Sequence, residues 1–126
     1  MAGFFYLASK SITLNDYGSF RNMSRLEKIQ AMLASDPHDT FLRYTLAMEY
    51  RKLGDPERSV ELLRQLAYEN SPSYVPAFFM AAQQLVEQEM LEEARSLLRD
   101  GIEQARQQND LHAAAEMSEL LSELGK

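Results

Sequence analysis

Few side chains in this sequence could perform catalysis or bind a metal, and they stand far apart. The chain contains no cysteine, which excludes thiol nucleophiles, thiolate zinc sites and disulfides. Its two histidines, His38 and His112, stand near predicted helix starts, and His112 has a carboxylate, Glu116, one helical turn later. Catalysis requires a nucleophile, base or metal within mutual reach. We therefore predict no catalytic residue, no metal site and no cofactor, and expect that the chain is not an enzyme.

The remaining polar motifs have structural explanations. Glu92 and Glu93 could form an acid pair, but they open a predicted helix, where the helix dipole favours negative charge. The five glycines are scattered, and no Gly-Lys-Ser or Gly-Lys-Thr motif is present. A phosphate-binding loop, and with it nucleotide binding, is therefore not indicated.

Composition indicates one folded domain. The chain has 126 residues, of which 45% are hydrophobic and 25% charged, a mixture typical of folded proteins. The net charge is -6 and the basic residues are dispersed among acids, so we expect neither a nucleic-acid partner nor binding to anionic membranes. No apolar run approaches the roughly 20 residues that span a bilayer. A cytoplasmic location is the resulting expectation.

Apolar residues at helical spacing dominate the sequence after Met23. Six stripes recur at spacings of three and four: Leu26, Ile29 and Leu33; Leu42, Leu46, Tyr50 and Leu53; Val60, Leu63 and Leu66; Phe78, Ala81, Ala82 and Leu85; Leu91, Ala94, Leu98 and Ile102; and Met117, Leu120, Leu121 and Leu124. Helices this short must bury their stripes against neighbours, and short links make adjacent helices antiparallel. The sequence therefore predicts an all-α fold of about six helices arranged as antiparallel hairpins.

The N-terminal part has a different character. Residues 1–22 contain isolated aromatics without a sustained period, whereas Met23 is followed by Ser24, a suitable N-cap for the first helix. We predict that residues 1–22 form a loosely ordered extension, which is either foreign to the natural reading frame or an arm that packs on the domain. The predicted folded domain comprises residues 23–126.

The chain matches itself at an offset of 35 residues. This offset places Glu57, Leu62, Leu63 and Arg64 on Glu92, Leu97, Leu98 and Arg99. It also places Ala47 on Ala82 and Ser59 on Ala94, so small residues recur where the helices of a hairpin would cross. A period near 34 residues built from a helix pair is typical of a helical solenoid.

These residues give the chain a resemblance to the tetratricopeptide repeat (TPR) family. Residues 40–73 resemble one repeat through Leu46-Ala47, Tyr50, Gly54-Asp55, Ser59, Leu63 and Pro72. Residues 75–108 resemble a second through Phe78, Ala81-Ala82, Leu85, Ala94 and Leu98. Residues 24–36 are similar to the second helix of a preceding repeat, and residues 110–124 to the helix that caps such arrays. The resemblance implies a short right-handed superhelical solenoid that binds other proteins.

Several positions depart from the family pattern. Arg43 stands where the family usually has a large aromatic residue, and Glu89-Met90 replaces Gly-Asp in the second repeat. One subclass of the family binds chaperone C-termini through a clamp of Lys and Asn, and here Tyr44, Met48 and Met80 occupy those places. Without the charge-assisted hydrogen bonds of the clamp, we do not expect that ligand.

The resemblance also implies where a partner would bind, because the first helices of stacked repeats line a concave surface. The predicted contact residues share spacings of three and four on those helices: Phe41, Tyr44, Met48, Arg51, Phe79, Gln83 and Val86. Aromatic and Met side chains supply adaptable contact area for a peptide or an amphipathic helix. The alternative is that they pack against the N-terminal extension or the final helix.

The expected function is that of a non-enzymatic adaptor that holds a segment of another protein in this groove. Two alternatives remain open. A second copy of the chain could cover exposed apolar edges, giving a homodimer. The chain could also serve as a regulatory subunit of an enzyme system.

Overall fold

Six α-helices and no β-strand are found in residues 22–125, the part of the chain that this computed structural model describes. We number them α1 (Arg25–Ser35), α2 (Thr40–Lys52), α3 (Pro56–Tyr68), α4 (Val75–Glu87), α5 (Leu91–Gln107) and α6 (Leu111–Glu123). The prediction of an all-α fold with six helices is confirmed. Each of these helices is too short or too polar to cross a lipid bilayer. The predicted N-terminal extension lies outside the described residues, apart from position 22.

Local sequence signals set several helix starts. Ser24 caps α1 in a reciprocal capping box: its Oγ accepts a hydrogen bond from the N–H of Glu27 at 3.1 Å, and its own N–H donates to Glu27 Oε1 at 2.9 Å. Asp55 and Asp110 cap α3 and α6, each accepting the N–H three residues later. Ser24 is the N-cap predicted from the sequence, and each of the three caps lies next to the helix that it starts, so these helix starts are encoded locally.

Each helix packs against the next one in the chain, and α4 also contacts α6. Gln84, late in α4, donates to Ser59, early in α3. Arg95, early in α5, donates to the carbonyl of Leu124, just after α6. The helices joined by these contacts therefore run antiparallel, as the short links require.

The 35-residue repeat seen in the sequence also appears in helix lengths and backbone torsion angles. The helices α2, α4 and α6 each have 13 residues. A residue with positive φ follows each of them: Gly54 at 83°, Glu89 at 60° and Gly125 at 78°, which stand 35 and 36 positions apart. The second unit therefore keeps a left-handed turn at Glu89, although the sequence has lost the glycine that adopts this conformation without strain.

Phe78, which is only 1% exposed, is one of the largest fully buried side chains in the described core. Its ring meets the ring of Tyr68 edge-on, with centroids 5.3 Å apart. A Cβ added at Gly101 would lie 2.6 Å from Phe78 Cβ and 2.6 Å from Met117 Sδ. The absence of a side chain at Gly101 thus lets α4, α5 and α6 approach one another closely.

In both α2 and α4, a buried polar side chain contacts the start of the preceding helix. Gln84 Nε2 donates to Ser59 Oγ at 2.8 Å, and both residues are buried. At the equivalent position 35 residues earlier, Glu49 is also buried and accepts a hydrogen bond from Arg25 at 3.1 Å. Because buried polar groups require partners, these contacts favour one alignment of each helix with its predecessor.

The N-terminal helices bury less than the sequence pattern predicts. In α2, Ala47 is fully buried, whereas Leu46 and Tyr50 are only half-buried. The prediction that Leu53 belongs to the core stripe is wrong, because Leu53 follows the last helical residue of α2 and is 57% exposed. Ile29 is the one fully buried residue of α1. Few buried side chains of α1 therefore cover the face of α2 that packs against it.

Candidate partner-binding surface

The first part of the predicted surface lies on α2. We define the α2 patch as Phe41, Tyr44, Thr45, Met48 and Lys52, which border a shallow depression of about 420 Å³. Phe41 is 68% exposed, the largest exposure among the bulky apolar residues in the described chain. The ion pair between Arg25 and Glu49 closes the side of the patch next to α1. The structure thus brings three of the predicted contact residues together around one depression.

Tyr44 connects the α2 patch to the start of α4. Its ring packs against that of Tyr74, the N-cap residue of α4, with centroids 5.3 Å apart and planes tilted by 58°. Burial raises the pKa of Tyr44, the nearby Tyr74 raises it further, and the charge of Arg51 partly opposes both effects. The phenol is therefore neutral near pH 7 and gives the α2 patch an apolar ring with an uncharged hydroxyl group.

Arg51 occupies the seam between α2 and α4. One guanidinium nitrogen lies 2.7 Å from Glu87 Oε2, and another lies 3.4 Å from Met80 Sδ. Arg51 was predicted as a contact residue, and the structure shows that its charge already has a partner within the chain. This ion pair links α2 to α4 at the surface, and the role of Arg51 toward a partner stays a prediction.

The second part of the surface lies between α4 and α6. We define the α4–α6 groove by the residues that line its volume of about 360 Å³: Phe79, Gln83, Val86, Glu116, Glu119, Leu120 and Glu123. The three residues from α4 are the predicted ones, and each is half-buried. The final helix, expected from the sequence as a cap or, in the alternative, as a cover for these residues, forms the other wall.

The four lining residues of α6 were missed by the sequence reasoning. A signal for them exists, because α6 begins 36 positions after α4, which places Glu119 on Gln83. Gln83 in turn lies 35 positions after Met48 of the α2 patch. The same helix position therefore carries Met, Gln and Glu in α2, α4 and α6. Extending the repeat into the final helix would have added α6 to the predicted surface.

The two parts of the surface carry opposite charge. Lys52 belongs to the α2 patch, while Arg25 and Glu49 at its edge form an ion pair with each other. The α4–α6 groove instead carries Glu116, Glu119 and Glu123 around an apolar floor. The surface therefore changes from aromatic and basic on α2 to apolar and acidic on α6.

The polar groups first considered for catalysis lie apart from one another. His38 is exposed, and His112 Nε2 stands 3.5 Å from Glu116 Oε1 on the exposed side of α6. Within residues 22–125, no three His, Asp or Glu side chains converge in a way that could hold a metal ion.

The adjacent carboxylates at the start of α5 are engaged by different arginines. Glu93 Oε2 lies 2.8 Å from Arg64 of α3, and Glu92 Oε1 lies 3.1 Å from Arg95 one turn later. Their geometry is that of two separate surface ion pairs, which contribute little to stability individually. It does not direct both carboxylates at one substrate.

No protein-family model, curated protein or solved structure matches this chain. Its function is therefore inferred from its own residues and contacts, and membership of the TPR family stays a prediction.

Proposed function

We propose that this chain is a short TPR-like solenoid, a right-handed superhelix of stacked antiparallel hairpins, that holds a segment of another protein against its first helices. One observation carries the proposal: the α2 patch and the α4–α6 groove use equivalent positions of helices related by the same offset. Tyr44 corresponds to Phe79, and Met48 corresponds to Gln83.

Contacts between alternate helices support the stacking of hairpins. Arg51 of α2 reaches Glu87 of α4 at the same end of both helices. On the other helices, Tyr68 Oη donates to Asp100 Oδ2 at 2.6 Å, which joins α3 to α5. These long side chains join alternate helices, which a helical solenoid brings near one another.

Apolar burial supplies the driving force for binding in this proposal. Covering one exposed aromatic side chain contributes about 1.5–3 kcal/mol. Association costs about 4–15 kcal/mol in lost freedom of motion, so a single anchor such as Phe41 is too weak. A partner segment that reaches both the α2 patch and the α4–α6 groove gains several anchors. We therefore expect a segment long enough to contact both.

The proposal is tested by affinity capture from a lysate of the source cells, with the full chain as bait. The double variant Tyr44→Ala/Phe79→Ala removes one aromatic anchor from each part of the surface. The matched control, Leu53→Ala/Leu111→Ala, removes two apolar side chains that are 57% and 63% exposed and lie outside both parts. Circular dichroism and urea unfolding establish that each variant is folded before capture.

We expect a captured protein that is retained by the control and lost from the Tyr44→Ala/Phe79→Ala variant. If that variant is unstable because it loses the contact with Tyr74, Phe41→Glu takes its place, since the exposure of Phe41 leaves the core intact. Equal capture by all the folded variants would refute the proposed surface.

Sedimentation velocity tests the homodimer: a stable dimer that loses affinity in Phe41→Glu would replace the adaptor proposal.

A further inference from the structure

The glutamates of the α4–α6 groove have few partners within the chain. Glu116, Glu119 and Glu123 stand three and four residues apart on one side of α6. Glu119 and Glu123 have no side-chain hydrogen bond or ion pair within residues 22–125. Among the described residues that line the groove none is cationic. Glu116 lies 3.5 Å from His112 Nε2, whereas Glu119 and Glu123, four residues apart, repel each other without a cation among the residues that line the groove.

The position of these glutamates within α6 adds to the repulsion. Glu123 is the last residue of the helix, and Glu119 lies one turn before it. The C-terminal end of a helix carries partial negative charge, which disfavours carboxylates there. A positively charged ligand would relieve both effects, so the acids of α6 are better placed for a cationic partner than for helix stability.

Apolar side chains lie between the glutamates and the opposite wall. Phe79, Val86 and Leu120 are half-buried and form the floor of the groove. A purely hydrophilic cationic ligand would leave this floor uncovered, whereas a side chain such as Leu would bury it. The groove therefore matches a ligand that combines apolar and basic groups.

We infer that the α4–α6 groove binds a basic amphipathic helix of another protein, with its Lys or Arg side chains facing the three glutamates and its apolar stripe on Phe79, Val86 and Leu120. This inference rests on the proposed function, since it names the chemistry of the segment that is held. Cations three and four residues apart in a partner helix have the same spacing along the axis as the glutamates. A second copy of this chain is disfavoured as the occupant, because the net charge of the chain is -6.

The test uses a fluorescein-labelled helical peptide of roughly 18 residues, or five turns, made of Leu and Lys. Its Kd for the full chain is measured by fluorescence anisotropy at about 0.05 M and 0.5 M salt, which differ strongly in electrostatic screening. Two peptides of equal length isolate the chemistry: one carries Glu in place of Lys, and the other carries Ser in place of Leu.

Two double variants isolate the site. Glu119→Gln/Glu123→Gln removes two charges from the groove while keeping the side-chain volume. Glu57→Gln/Glu61→Gln removes two exposed charges with the same four-residue spacing on α3, outside the groove. The two double variants therefore have equal net charge. Any difference between the two variants therefore reports the place of the charges and not their number.

We expect one-to-one binding of the Leu/Lys peptide, weakened by high salt and weakened about fivefold by Glu119→Gln/Glu123→Gln, as for the loss of two exposed ion pairs. The α3 variant should leave the Kd within about twofold of the unmodified chain, and the Leu/Glu and Ser/Lys peptides should bind more weakly. Equal weakening by both variants, tighter binding of the Leu/Glu peptide or no binding of any peptide would overturn the inference.

Phe79→Ala separates this inference from the proposed function. If the Leu/Glu peptide binds the groove and Phe79→Ala abolishes that binding, the basic partner is refuted while a segment-binding groove stands. If the Glu119→Gln/Glu123→Gln variant weakens binding but Phe79→Ala has no effect, contact with the apolar floor is refuted, and the inference fails with it.

Discussion

The helix pairs α2–α3 and α4–α5 share one backbone plan but fill equivalent positions differently. In the first pair, Arg43 is half-buried and donates to Asn70 at 3.3 Å, while Leu66 is fully buried. In the second pair, the equivalent positions hold the buried ring of Phe78 and Gly101, which has no side chain. At these two positions, the fully buried large side chain lies on the second helix of the first pair and on the first helix of the second pair. The two helix pairs thus share a backbone plan while burying side chains of different size and polarity at equivalent positions.

The largest expected difference between the two pairs concerns Arg43 and Phe78. Phe78→Ala should lower the free energy of unfolding by about 3–5 kcal/mol, because it leaves a cavity beside Tyr68 and Gly101. Arg43→Ala should cost less than about 1 kcal/mol, since its side chain reaches the surface. Urea unfolding of both variants measures the difference. Similar losses would contradict the view that the second pair carries the denser core.

The next effect concerns Gly101, where replacement by alanine should change stability in the direction opposite to that usual for a helical glycine. Replacing a glycine in a helix by alanine ordinarily stabilises it by up to about 1 kcal/mol. Here the new Cβ would meet Phe78 and Met117 at 2.6 Å, so Gly101→Ala should destabilise the protein by about 1–3 kcal/mol. Thermal and urea unfolding provide the measurement, and a stabilised variant would show that the helices around Phe78 are more widely separated.

A smaller effect is expected where the two pairs turn from first helix to second. Glu89 adopts a positive φ that costs a non-glycine residue energy, so Glu89→Gly should stabilise the protein by about 0.5–1 kcal/mol. Gly54→Ala should lose a similar amount at the equivalent turn, although nothing lies within 4 Å of its added Cβ. Unfolding experiments on the two variants should give opposite signs. Destabilisation by Glu89→Gly would mean that the turns are not equivalent.

The smallest effect depends on pH and concerns the contact between α3 and α5. Burial raises the pKa of Tyr68 above its ordinary value of 10.0, and the hydrogen bond to Asp100 raises it further. Because the folded state holds this proton more tightly, the contribution to stability is complete below pH 10.0 and falls as the pH rises above it. Urea unfolding between about pH 9 and 11 should show a smaller decline in Tyr68→Phe than in the unmodified chain. Identical slopes would refute this linkage.

The features predicted from sequence are those encoded locally. The cap of α1 by Ser24 depends only on neighbouring residues, so the sequence pattern was sufficient to predict it. The ion pair between Arg51 and Glu87 joins residues 36 positions apart, and no local rule identifies it. No sequence pattern identifies Gly101 either, because its importance comes from Phe78 and Met117 on other helices.

For the candidate surface, too, the residues that share one helix were predicted from the sequence, whereas those that depend on packing between helices were not. Spacing on one helix identified Phe41 and Met48 together, since residues three to seven positions apart share a helix face. Which helix forms the opposite wall of a groove depends on tertiary packing. Glu119 and Leu120 were therefore missed, although the repeat offset pointed to them.

The most direct measurement is site-specific photocrosslinking in source cells with p-benzoylphenylalanine. Introduced at Phe41 or Phe79, the probe lies on the proposed surface; introduced at Glu61 or Arg99, it lies on exposed positions of α3 and α5 outside that surface. We expect an adduct of the same mass from Phe41 and Phe79 and none from the other two positions. Adducts formed mainly from Glu61 and Arg99 would contradict binding on the first helices.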